Sequence, residues 1–165
     1  MSDAPEPRLR PTSPATLFVV ALAAAALSWV LIGRYYGDVP QLTWLPALTL
    51  VLLAIIEAIA ARTVKARIDR RPGTEPIDAL AVARMVLFAK ASSVAGALFT
   101  GVYGGVLVWV WSESSTNPHA SSDVGPAAEG LAAALLLVGA ALWLERCCRV
   151  PEPPPDREEE RIEEP

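Results

Sequence analysis

The sequence predicts an all-α, polytopic membrane protein of four transmembrane helices with both termini in the cytoplasm. Hydrophobic residues make up 53% of the 165-residue chain, and they come in long blocks instead of at amphipathic spacing. Four of these blocks reach the roughly 17 to 20 apolar residues that a helix needs to cross a hydrocarbon core about 30 Å thick. Lys and Arg gather near the block ends that would share one side of a bilayer, and that bias marks the cytoplasmic side.

The first block, 16–32 (TLFVVALAAAALSWVLI), carries no charge. The second, 44–61, holds Glu57 as its one charge. The third lies in a helix over 79–111 whose membrane part, 91–111, is uncharged, and the fourth, 127–144, holds only Glu129, in its first turn. A soluble bundle needs a charged face on each helix, which the first and third blocks lack. Arg8 and Arg10 ahead of an alanine-rich stretch resemble the front of a signal peptide. The apolar run exceeds the usual length of about 7 to 15 residues and ends in no cleavage motif, so it reads as a retained span.

Helix punctuation fits these bounds. Ser13 before Pro14, Thr74 before Pro76, and Ser122 or Asp123 before Pro126 read as caps followed by a first-turn proline. Pro46 falls near the start of the second span, where a missing N–H costs little. The chain thus divides into a cytoplasmic segment 1–13, a membrane domain 14–149, and an acidic Pro/Glu-rich tail 150–165 that has little to bury and is expected to be disordered.

Of the 14 basic residues, all but Arg34 fall before the first span, between the second and third (including the entry to the third), or after the fourth. The loops at 33–43 and 112–125 therefore face outward, and the second of them is a Ser/Asn/Pro/Gly connector without Lys or Arg. Trp44, Trp109 and Trp111 fall at outer span ends and Trp143 at an inner one, as an interfacial aromatic belt requires. The basic loop with Arg62, Lys65, Arg67, Arg70 and Arg71 adjoins a span and is interrupted by Asp69. It points to anionic lipid headgroups and not to nucleic acid.

Glu57 precedes Arg62 by five residues, which places it about 7 or 8 Å inside the cytoplasmic end of its helix. An acid at that depth normally points inward to a partner. Lys90 and Arg84 on the third helix, and Glu145 and Arg146 after the fourth span, lie toward the same side. The expected arrangement is an intramembrane ion-pair layer, Glu57 with Lys90 and Glu145 with Arg84 or Arg146. Such a layer either glues the helices or serves transport; its shallow position favours glue, because a relay more typically needs charges near the midplane or broken helices.

Small residues recur every four positions along two adjacent ridges of the third helix: Ser93, Ala97, Gly101 and Gly105, and Ser92, Gly96, Thr100 and Gly104. This doubled small-xxx-small surface permits close approach of another membrane helix. Ala21, Ala25 and Ser28 on the first span offer a matching face within the chain, and a second copy of the chain is the other option.

Chemistry-bearing motifs are few. His119 is the only histidine, so no histidine metal cluster or paired-histidine catalytic site forms within one chain. Cys147 and Cys148 are adjacent and lack the two-residue gap of a redox or zinc pair. The glycines of the third span lie mid-membrane, where phosphate loops do not bind nucleotides. No catalytic residue, metal ligand or cofactor is assigned.

The segment RPTSPATL, the central PGTEPIDALAVARMVLFAKASS and the terminal LWLERCCRVP resemble domain-of-unknown-function family 3180, small membrane proteins of high-GC Gram-positive bacteria. The resemblance implies a plasma-membrane protein often encoded near folate-biosynthesis genes, with no established activity and no catalytic residues to carry over. The expected function is that of an accessory or interaction protein organising partners at the cytoplasmic face. The alternative is a small oligomeric transporter using the Glu57/Lys90 charges, with an enzyme third.

Overall fold

The computed structural model describes residues 13–38, 42–68 and 79–148. Four α-helices and one short 3-10 turn account for nearly all of them: α1 (Pro14–Tyr35), the turn Tyr36–Asp38, α2 (Leu45–Ile68), α3 (Ala79–Glu113) and α4 (Pro118–Cys147). There is no strand among the described residues. All four helices are long and apolar enough to cross a membrane. Thr74, Arg70 and Arg71, the N-terminal segment 1–12 and the tail 149–165 lie outside the described residues.

Each helix starts for a local reason. Ser13 is extended and precedes Pro14 at the first helical position of α1, although its side chain makes no capping bond. Pro46 sits one residue inside α2, where no intrahelical N–H bond is lost. At α4 the structure corrects the sequence reading: the helix begins at Pro118, not near 127. Asn117 is the cap, its side-chain oxygen accepting the His119 N–H at 3.0 Å. Ser122 and Asp123 are therefore not caps, and Pro126 lies inside the helix. The added turns are anchored by Ala120, Asp123 and Ala127, buried three and four positions apart on one face.

The helices pack as a series, α1 on α3, α3 on α4, and α4 on α2. Neighbours in sequence are thus mostly not neighbours in space. Three apolar clusters fix the directions. At one end, Ile32 of α1 and Tyr36 just beyond it meet Val106 and Val110 of α3 and Ala120 and Ala127 of α4. Midway, Ala47, Leu50 and Ala54 of α2 pack on Ala133, Ala134 and Leu137 of α4. At the other end, Ala61 and Val64 of α2 join Ala89 of α3 and Leu144 of α4. Helix α1 therefore runs parallel to α3, α2 runs parallel to α4, and the two central helices are antiparallel.

The outer helices keep wide apolar faces. Phe18, Leu22, Leu27 and Val30 on α1, and Leu52, Ile55, Ile56 and Ile59 on α2, are exposed. A soluble monomer does not tolerate such faces, whereas lipid tails cover them at no cost. Helix α3, with 35 residues, is about 52 Å long and overshoots a 30 Å core by several turns.

Candidate functional site

Buried polar groups fall toward the two ends of the bundle, with one exception that bonds across to a neighbouring helix. The exception is Ser28 of α1, whose hydroxyl donates to the Val102 carbonyl of α3 at 2.9 Å. It sits inside the small-residue contact. A β-carbon on Gly101 would meet the Ala21 carbonyl oxygen and come within 2.7 Å of the Ala24 β-carbon, and one on Gly105 would meet the Ala25 carbonyl oxygen. The ridge of Ser93, Ala97, Gly101 and Gly105 thus turns its glycines to α1 at the Ala21, Ala25 and Ser28 face. The other ridge turns to α4: a β-carbon on Gly96 would lie 2.8 Å from Val138 Cγ2, and one on Gly104 would be 4.0 Å from Leu131. Thr100 bonds its own helix, donating to the Gly96 carbonyl at 2.8 Å. Gly130 of α4, missed by the sequence reading, receives the Tyr103 ring where a side chain would otherwise stand.

At the end bearing the α4 N-terminus, Asp123 is buried and receives two hydrogen bonds. Tyr36 Oη donates to Oδ2 at 2.8 Å and the Leu42 N–H donates to Oδ1 at 3.3 Å. One carboxylate on α4 thereby fastens the end of α1 and the connection to α2. The Tyr36 ring packs on Trp109 with centroids 4.4 Å apart, and Trp109 also lies over Gly33. Trp109 is accordingly a packing residue, while Trp44 and Trp111 are exposed. Burial, and then the Asp123 carboxylate, push the Tyr36 hydroxyl up to about 12. A folded value above the ordinary 10 means that its contribution to stability is full below pH 10 and lost as pH rises through 12. Tyr36→Phe should therefore flatten the alkaline fall of the unfolding midpoint between pH 10 and 12, as followed by thermal denaturation in detergent.

At the opposite end lie the charges singled out from sequence. Glu57 is fully buried, at 0% exposure, and neither carboxylate oxygen has a hydrogen-bond partner. Ser92 of α3, also buried, is the side chain that comes nearest to hydrogen-bonding it, short of full hydrogen-bond geometry. Glu145 is buried and Lys90 half-buried, and each is engaged in a polar interaction. Arg84 and Arg146 are exposed. Ser93 is fully buried and donates to the Lys90 carbonyl at 2.9 Å. Arg62 stacks over the Trp143 ring at 5.6 Å, pinning α2 to α4, and Lys65 and Arg67 are exposed beyond it. Cys148 just past α4 is buried, and burial, Cys147 and Glu145 push its thiol up, which opposes nucleophilic reactivity.

Between the two ends the interior is closed by Leu50, Ala54, Ala97, Val106, Ala133, Ala134 and Leu137. Two apolar grooves open sideways instead, one of about 530 Å³ between α1 and α3 and one of about 710 Å³ between α2 and α4. No group of three or more His, Cys, Asp or Glu side chains poised for a metal occurs among the described residues.

The sequence signature of a family described as a protein of unknown function, DUF3180, matches residues 17–152. That span takes in all four helices except the first turn of α1. The chain belongs to the DUF3180 family. No curated protein and no solved structure matches it. For this DUF3180 chain the family supplies no activity.

Proposed function

We propose that the chain is an accessory protein of the plasma membrane that organises partner proteins at its cytoplasmic face, with both termini on that side. The observation that supports this reading is the closed interior. Polar groups at the two ends are separated by alanine, valine and leucine packing, and the Ser28 and Thr100 hydroxyls between them are spent on carbonyls. A conduit needs polar groups or broken helices near the midplane, and α1 to α4 are continuous there.

The end that carries Arg62, Lys65, Arg67, Arg84 and Arg146 is the natural cytoplasmic side by the positive-inside rule. There the exposed cations suit anionic headgroups, and the first turns of α3 and last turns of α2 project past the hydrocarbon as a helical platform for a partner. Lys90 and Glu145 stiffen its base as members of the proposed charge layer. The test is native mass spectrometry of the full chain extracted from its own membrane in mild detergent. A stoichiometric protein complex, lost when Lys65, Arg67 and Arg84 are changed together to Gln, is the expected result; a homo-oligomer carrying only lipid or a small solute would contradict it.

A further inference from the structure

The lateral groove between α2 and α4 ends on positive charge. We propose that it binds one anionic phospholipid of the bilayer, with an acyl chain along the groove and the phosphate on Arg62 and Arg146. The groove holds about 710 Å³. Its small residues, Ala54, Ala58, Gly139 and Ala140, leave it hollow, and the exposed Ile55 and Leu136 flank it. A β-carbon at Gly139 would meet nothing within 4 Å, so the space there is open. The lining is aliphatic apart from the Trp143 ring at one end. The parallel α2 and α4 border it for about 10 to 16 Å of helix length, which suits a hydrocarbon chain lying along the spans.

The charged end decides the occupant. Arg62 follows Ala58 by four residues, and Arg146 follows Gly139 by seven and Trp143 by three, so both continue the groove faces of their helices toward the membrane surface. Both are exposed. The Arg62 guanidinium lies 5.6 Å from the centre of the Trp143 ring. Stacking occupies the face of the guanidinium and leaves its N–H donors directed outward in plane, the geometry that holds phosphate oxygens. Tryptophan settles at headgroup level, so groove, indole and guanidinium follow one another as do the chain, glycerol and phosphate of a phospholipid. A second copy of the chain fits worse. A twofold contact through this groove, with like ends side by side, would set Arg62 and Arg146 against their own counterparts, and the described carboxylates at this end, Glu57 and Glu145, are buried. The α1–α3 groove lacks the selecting charge: beyond its lining residues Leu31 and Val106, the same helix faces carry Arg34 and Glu113, both exposed, which cancel. The inference shares with the proposed function the placing of the basic end at the membrane surface and needs no partner protein.

The test is native mass spectrometry of the purified full-length protein in detergent, titrated with phosphatidylglycerol or with phosphatidylcholine. The expected result is one phosphatidylglycerol per chain, bound about tenfold more tightly than phosphatidylcholine, as one charge-assisted contact warrants. Arg62→Gln combined with Arg146→Gln should weaken it about tenfold or more. Gly139→Leu fills the groove and leaves both arginines in place, and it should weaken binding to a similar degree. Arg67→Gln removes the same charge at the same end, but Arg67 follows Ala58 by nine residues and so lies on the opposite side of α2; it should leave the affinity unchanged. Equal affinity for the two lipids, equal losses in Arg67→Gln and the arginine pair, or unchanged binding in Gly139→Leu overturns the proposal. So does a lipid-free dimer that Gly139→Leu dissociates. Should the double arginine variant fail to fold, Arg146→Gln alone takes its place, since it leaves the stack on Trp143 intact. The partner complex is read with Lys65, Arg67 and Arg84 changed instead, so either reading can fail without the other.

Discussion

Valine at Gly101 should release α1 from the bundle. The β-carbon alone would run into the Ala21 carbonyl oxygen and crowd the Ala24 β-carbon. These are a backbone group and the shortest of side chains, so neither can rotate away. Relief requires α1 to move outward, which also breaks the Ser28 bond to the Val102 carbonyl and opens the contact along Gly105. Overpacking of this kind costs about 3 kcal/mol when backbone has to shift. Few other contacts hold α1, since among the described residues its only substantial helix neighbour is α3. The control lies on the same helix: Gly104→Ala meets only Leu131 at 4.0 Å, ordinary contact, and should leave the midpoint unchanged or raise it slightly through helix propensity. Thermal unfolding in detergent and protease sensitivity of α1 read both variants. Equal stability of Gly101→Val and the unaltered protein would refute the packing described for α1.

Glu57→Met should make the protein more stable, by about 1 to 3 kcal/mol. A charged side chain in a membrane helix costs about 2.5 to 3.5 kcal/mol at the centre and less near an end. Here that cost is not offset by any hydrogen bond. Methionine is unbranched and of similar length. If Glu57 were instead half of an ion pair gluing α2 to α3, the same change would destabilise by leaving its partner buried and alone. The sign of the shift therefore distinguishes a buried carboxyl without an ion-pair partner from one that glues two helices.

The membrane architecture was legible because it rests on local quantities. The length of apolar runs gives spans whatever their neighbours, and fourfold spacing of Ser, Ala and Gly on α3 shows a packing surface. What spacing does not contain is which partner each ridge meets; only the three-dimensional register sends Gly101 and Gly105 to α1 and Gly96 to α4. The start of α4 was missed for a different reason. Asn117 and Pro118 are a cap and a first-turn proline in plain view, yet the polar run around them reads as a connector, and its buried face consists of two alanines and Asp123. Asp123 itself gathers Tyr36 and Leu42 from more than 80 positions away, and no local pattern announces that. Glu57 stood out as a lone charge in an apolar run, but its partnerless state is a property of the assembled helices.

The proposed scaffold is a bundle closed to solutes even though it holds a buried carboxylate. Its most direct test is flux in proteoliposomes of the purified full-length protein, with a proton or sodium gradient imposed across the membrane and an internal dye reporting its decay. The expected result is decay no faster than in empty liposomes, for both the unaltered protein and Glu57→Gln. Accelerated decay that disappears in Glu57→Gln would contradict the closed scaffold and make this protein a transporter.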